Sequence, residues 1–201
     1  MIFNIFGVKV EITFWFVALI TFIISLNAPS NVLVTVISSL LHETGHLLIM
    51  TSIGNKPKAV RLEITGMNII RQPDFKISTK NEILIALGGP FINLICFLLS
   101  VIILCFYENE NILTFGCINL ILMTFNLLPI NRLDGGLALY YILLQKYDNL
   151  TCTKILKITS VFFITLIYIW GIYAFVSSKY NISLIIIAIF LTLSMFSSNE
   201  Y

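Results

Sequence analysis

Charged residues are scarce in this chain. Lysine, arginine, aspartate and glutamate make up 11% of its 201 residues, whereas hydrophobic residues make up 58% and the mean hydropathy is +0.97. A soluble domain of this size needs a larger charged surface, so the composition excludes that class. We expect an all-α polytopic membrane protein with a single membrane-embedded domain over residues 1–201.

Several signals of other functions are also missing. The chain has no internal repeat, no low-complexity tract and no basic patch that indicates binding to nucleic acid. Its four cysteines lack the spacing of metal or redox sites, so we assign them no function. The segments between apolar stretches are short, which leaves no room for an inserted peptide-binding or regulatory domain.

Six apolar segments are long enough to cross a bilayer as helices of about 20 residues. They cover approximately residues 12–28, 32–53, 83–107, 112–128, 155–176 and 182–196. Six crossings place both termini on one side of the membrane, and every lysine and arginine except Lys179 falls on that side. Because these residues mark the cytoplasmic side, we predict cytoplasmic termini and a cytoplasmic segment 54–80.

Histidine is nearly absent too, yet the two histidines, His42 and His46, stand four residues apart with Glu43 after the first. Such an HExxH match arises by chance on the order of once in a thousand chains of this composition. On a helix, both imidazoles share one face and can hold one metal ion beside Glu43. These side chains are costly inside a membrane unless they pair or bind a ligand. The pattern predicts a zinc site about 10–16 Å from the cytoplasmic surface, by the helical rise per residue.

The end of the fourth segment carries another polar group. Asn126 and Pro129 precede Asp134, which is followed by two glycines. Asp134 alone could simply cap the helix that follows it. Beside HExxH it becomes a candidate third ligand, because catalytic zinc usually has three protein ligands and an open position for water.

The third segment contains Gly88-Gly89-Pro90 and, four residues after Gly89, Asn93, at the depth predicted for the histidines. The glycines could serve ordinary helix packing, or they could admit a close backbone approach at a site. Asn93 and Asn126 are candidates for donating a hydrogen bond to the substrate or to an oxyanion.

Residues 60–65 alternate apolar and polar, Gly66 offers a turn, and residues 67–69 continue the alternation. This pattern predicts a β-hairpin at the cytoplasmic face, and residues 8–13 alternate as well and could join it. A sheet edge there could pair with a substrate strand, although a surface hairpin without a substrate role is equally compatible with the pattern.

HExxH in one segment and N-x-x-P-x-x-x-L-D-G-G closing a later one resemble the intramembrane site-2 protease family. The compact six-span layout resembles its sporulation stage IV factor B branch. The resemblance implies one zinc ion held by His42, His46 and Asp134, with Glu43 as general base. It gives secondary roles to four further residues: Gly89, Asn93, Asn126 and Pro129. It also implies a catalytic core at about 31–145, without the nucleotide-sensing or peptide-binding domains that some members carry.

The resemblance further implies a zinc metalloendopeptidase in a bacterial cell membrane that cleaves a membrane-associated protein near the cytoplasmic face. The implied substrate is a transcription-factor precursor, which in the sporulation branch is a sigma-factor precursor. The implied partners are membrane proteins that inhibit or gate the protease. Two alternatives stay open: a transporter that binds an ion at its polar midplane residues, which internal repeats would favour, and an inactive scaffold.

Overall fold

The fold is taken from a computed structural model, which describes residues 2–5, 8–14, 18, 21, 30–55, 57–63, 66–70, 77–177 and 182–197. The chain divides into two compact units, Met1–Phe125 and Asn126–Tyr201.

The first unit contains a four-stranded sheet. Its strands are β1 (Ile2–Ile5), β2 (Val8–Ile12), β3 (Ala59–Glu63) and β4 (Gly66–Ile70), which lie side by side in that order. β2 runs parallel to β3, whereas the outer pairs are antiparallel. Glu11 on β2 accepts hydrogen bonds from Lys9 and from Arg61 on β3, which lower its pKa. The predicted hairpin and the addition of residues 8–12 to it are therefore confirmed.

Two details of the sheet differ from the prediction. Gly66 pairs with Glu63 as the first residue of β4, whereas residues 64–65, which connect the two strands, lie outside the described part of the chain. β1 was not predicted, and it extends the predicted sheet by one strand beyond β2. β3 lies between β2 and β4, so β4 forms the edge of the sheet on the side of this hairpin.

The described residues of the first unit also include the helices α1 (Ser30–Ser52), α2 (Thr79–Leu104) and α3 (Glu110–Asn126), the last of which ends at the unit boundary. α2 begins where Ser78 accepts a hydrogen bond from the backbone N–H of Asn81. α1 and α2 meet at Gly45 and Gly88, where a Cβ on Gly88 would lie 2.7 Å from the carbonyl oxygen of Gly45. Only glycine allows this contact of backbone with backbone, which brings the two helices unusually close.

The second unit contains α4 (Asp134–Leu143), α5 (Asn149–Ser177) and α6 (Ser183–Ser197). α5 packs against α6, and the hydroxyls of Tyr168 and Thr192 lie 3.3 Å apart across this contact. The segment before α4 is attached to α5, because the backbone N–H of Asn131 donates to the Ser160 hydroxyl over 2.8 Å.

Three of the described helices, Asn31–Ser52, Thr79–Leu104 and Asn149–Ser177, are long and apolar enough to cross a membrane. Large apolar side chains on the last of them, such as Phe162, Trp170 and Val176, are more than half exposed, as expected for a surface that faces lipid. These helices indicate an integral membrane protein. The first predicted span lies largely outside the described residues and α3 has only 17 residues, so the arrangement of six spans stays a prediction.

Candidate metal centre

His42 and His46 lie on one face of α1, as their spacing predicts. Both side chains are buried, with 6% and 8% of their surface exposed. Their rings meet edge to face with centroids 4.9 Å apart, and their Nε2 atoms are separated by 3.2 Å. The membrane-embedded helix thus brings two potential metal ligands to one point.

The other nitrogen of each ring is held by α2. Nδ1–H of His46 donates to the backbone carbonyl of Ile85 over 2.7 Å, and Nδ1–H of His42 donates to Oδ1 of Asn93 over 3.1 Å. A carbonyl oxygen can only accept, so the proton of each neutral ring resides on Nδ1. Nε2 of each histidine therefore carries the lone pair, which is the state that binds a metal ion.

The spacing of the two Nε2 atoms fits a zinc ion. Two nitrogens bound to tetrahedral zinc at about 2.0–2.1 Å lie roughly 3.3 Å apart, which is close to the distance found between His42 and His46. The residues present therefore fit the metal that the sequence predicts.

Gly89 on α2 faces this pair directly. A Cβ at this position would come within 2.6 Å of Cε1 of His42 and still closer to Nε2 of both histidines. The site needs glycine here because any side chain would occupy the space in front of the ligand atoms. The next residue, Pro90, has no N–H to donate to the carbonyl of Ala86, so the helix lacks one backbone hydrogen bond beside the Ile85 carbonyl.

Asn93 is completely buried, with 0% of its surface exposed. Its Oδ1 holds His42, whereas its Nδ2 has no hydrogen-bond partner among the described residues. The amide thus orients a candidate ligand and retains one donor. Its predicted role toward a substrate or an oxyanion stays a prediction.

Glu43 follows His42 on α1 and is half-buried. Glu43 is the candidate base because the residue after the first histidine of the pattern lies beside the helix face that both histidines share.

In the second unit, Asp134 is the first residue of α4. The residue in the N-cap position is Leu133, which provides no side-chain hydrogen bond, so Asp134 does not act as the N-cap of this helix. The carboxylate is half-buried and lies at the end of a turn.

That turn is shaped by its backbone. A Cβ on Gly136 would lie 2.5 Å from the carbonyl carbon of Ile130, and a Cβ on Gly135 would meet the backbone of Leu127 equally closely. Arg132 has a φ of 76°, a left-handed conformation that side chains rarely adopt. Asn126 ends α3 and Pro129 lies three residues later, both half-buried.

Sequence reasoning missed a second buried polar contact on α1. Nδ2 of Asn119 on α3 donates to the hydroxyl of Ser38 over 3.0 Å and to the carbonyl of Phe115 over 2.8 Å. Ser38 lies one turn before His42, so this bond holds α1 from a second helix. An asparagine inside an apolar segment was the available signal, since such a group needs a partner in a membrane.

Comparison with known proteins gives the following similarities, although no protein-family model matches the sequence. The zinc metalloprotease MJ0392 of Methanocaldococcus jannaschii is 31% identical over 167 residues, which are 77% of this chain and 48% of that protein. The chain thus spans about half the length of the curated relative it matches. The solved structure of the site-2 protease from Methanocaldococcus jannaschii has a TM-score of 0.67 and 26% identity, and the match covers 100% of this chain and 95% of that chain.

These similarities support the site-2 protease family. In this chain HExxH lies on an apolar helix that is long enough to cross a membrane. The similarity, together with the apolar helices, agrees with an integral membrane protein. The sporulation stage IV factor B branch within the family stays a prediction.

Proposed function

We propose that this protein is an intramembrane zinc metalloendopeptidase. The observation that supports this most directly is the pair of Nε2 atoms 3.2 Å apart on a membrane helix, with the orientation of each ring set by a partner on α2. A contact that served helix packing alone would not require both lone pairs to converge. The similarity to a protein named zinc metalloprotease supports the same assignment.

We assign His42, His46 and Asp134 as the ligands of one zinc ion. Two buried imidazoles and one half-buried carboxylate form a donor set that suits zinc and leaves a fourth position for water. Zinc bound there would supply the Lewis acidity that polarises the scissile carbonyl and lowers the pKa of a water molecule towards about 7. The contacts of both Nδ1 atoms with α2 leave Nε2 of each ring available for this role.

Glu43 is the proposed general base. Its carboxylate accepts the proton of the attacking water and passes that proton to the nitrogen of the leaving peptide, so the same group serves both steps. Asn126 or the remaining donor of Asn93 would stabilise the oxyanion. Gly89 keeps the front of the histidine pair open, and Pro129 directs the chain out of α3 towards the turn that carries Asp134.

The proposed substrate is a membrane-associated protein that is cleaved near the cytoplasmic face. A peptide bond inside a helix is shielded, so the substrate must unwind and lie extended. Among the described strands, β4 is the outermost of its hairpin, and its edge could accept such an extended segment as an added strand. Prolines at 67, 68 and 69 test this, because successive N–H groups of a strand point to opposite sides. Prolines at positions whose N–H faces β3 should destabilise the fold, and prolines at positions whose N–H faces outward should reduce cleavage alone. If the protein tolerated proline at all three positions, substrate binding at the edge of β4 would be excluded.

The sequence resemblance and the distribution of lysine and arginine support further features of the proposed protease. These are six spans with cytoplasmic termini in a bacterial membrane, a transcription-factor precursor as substrate, in the sporulation branch a sigma-factor precursor, and membrane proteins that gate the activity.

Metal analysis combined with peptide cleavage tests the proposed function. Purified wild-type protein should contain about one zinc per chain and cleave members of a synthetic peptide library. Glu43→Gln should retain zinc and lose at least about 10²–10⁴-fold in activity, because an amide cannot accept the proton. Glu110→Gln makes the same chemical change at an exposed position and should alter neither quantity. Absence of zinc from protein prepared with zinc present, or equal cleavage by Glu43→Gln, would overturn the proposal.

A further inference from the structure

The second unit encloses a cavity of about 790 Å³ that nothing described above explains. Asp134 lies in its wall, together with residues of α4 and α5. If Asp134 binds zinc, as proposed, the cavity lies beside the reacting bond and its lining contacts the substrate. Its volume is that of a site for a small ligand or for a few residues of a peptide.

Two cationic side chains line the cavity, Arg132 and Lys157. Among the described residues, neither forms an ion pair. Both residues are exposed, and Lys157 lies eight residues into α5.

The start of α4 adds to the same electrostatic character. Leu133 and Asp134 line the cavity at the N-terminus of this ten-residue helix, and the N-cap residue Leu133 has no side-chain group that could cap it. The N-terminus of a helix favours a negative charge. The one carboxylate in the lining is Asp134, which the metal would neutralise. The remaining potential of the described lining is therefore positive.

Apolar side chains form much of the remaining wall: Leu137, Leu144, Leu156 and Met195. The cavity thus combines apolar walls with positive groups, and it would take a ligand with an aliphatic part and an acidic end. The side chain of glutamate has this chemistry, and a peptide substrate brings such side chains to the reacting bond.

We propose that this cavity is a specificity subsite that accepts an acidic side chain of the substrate within a few residues of the scissile bond, with Lys157 and Arg132 as its determinants. The inference rests on the proposed peptidase function. It adds a substrate preference that the metal centre alone does not impose.

A peptide library that differs only in glutamate or glutamine at each position around the cleaved bond tests this inference. In uncharged detergent, wild-type protein should prefer glutamate at one position by about tenfold in kcat/KM, the usual worth of a hydrogen bond to a charged group. Lys157→Gln should lose most of this preference through KM, and Lys157→Glu should reverse it towards lysine. Lys154→Gln removes an exposed charge from the same helix outside the cavity lining, so it should behave as wild type.

The outcomes separate this inference from the proposed function. Cleavage without an acidic preference, or with a preference that Lys157→Gln leaves intact, would overturn the subsite alone. Cleavage that Glu43→Gln does not reduce would overturn both. An effect of Lys157→Gln on all peptides that appears only in vesicles containing phosphatidylglycerol would assign the cavity to a lipid headgroup and overturn the subsite.

Discussion

The histidine pair and the turn that carries Asp134 are built in different ways. His42 and His46 lie in the middle of a regular helix, and side-chain hydrogen bonds to α2 orient both rings. Asp134 follows a turn in which Arg132 adopts a left-handed φ of 76° and Gly136 packs its backbone against that of Ile130. The first arrangement depends on hydrogen bonds made by the histidine side chains, whereas the second depends on the path of the backbone.

This difference determines how each region should respond to substitution. Changes near the histidines should alter metal affinity with little change in the backbone, because the helix persists without them. Changes in the turn should alter conformational stability and the position of Asp134 together. The predictions below test this contrast, from the largest expected effect to the smallest.

Asp134→Asn should have the largest effect. A neutral amide is a poor ligand for zinc, so turnover should stop and zinc affinity should fall by more than about 100-fold, since even outer partners of metal ligands contribute 10–100-fold. Zinc titration in detergent with a competing chelator measures this. Asp148→Asn, at an exposed position of the same unit, serves as the matched control and should retain full affinity. Full affinity in Asp134→Asn would require a different third ligand.

Asn93→Ala should have the next largest effect, because Nδ1 of His42 would lose its acceptor. We expect zinc affinity to fall by about 10–100-fold, and Asn93→Asp should recover most of it, since a carboxylate also accepts from Nδ1–H. Asn119→Ala removes a different buried amide on α3 and should lower stability without changing metal affinity. Equal zinc affinities in wild type, Asn93→Ala and Asn93→Asp would mean that α2 does not orient the histidine.

The same contrast explains how much the sequence predicts. The i, i+4 geometry of a helix placed His42 and His46 correctly, and alternation identified β3 and β4, because both are local consequences of chain geometry. The contact of Asn93 with His42 and the close approach of Gly88 to Gly45 join residues far apart in sequence, so no local pattern contains them. Gly66 was assigned to the turn on its type alone, although it pairs with Glu63 as the first residue of β4.

The backbone conformation of the turn before α4 could not be predicted from the sequence for a further reason. Arginine has no intrinsic preference for positive φ, so nothing in the local sequence marks residue 132 as left-handed. Among the described residues, Arg132 is the one non-glycine residue with positive φ. Such strain persists where the surrounding structure enforces it, and it concentrates at functional sites.

Arg132→Gly should therefore have the smallest effect, and one of opposite sign. Glycine adopts this φ without a steric penalty, so the free energy of unfolding should rise by about 0.5–1 kcal/mol after the larger entropy of the unfolded chain is subtracted. Arg132→Ala keeps the strained backbone and should not gain this stability, so the difference between the two variants isolates the backbone term. Both variants should weaken the acidic preference, because both remove the guanidinium from the cavity. Unfolding of the two variants in mixed detergent micelles measures the difference. If Arg132→Gly were no more stable than Arg132→Ala, the turn would hold this conformation without strain, and the arginine would be retained for its charge alone.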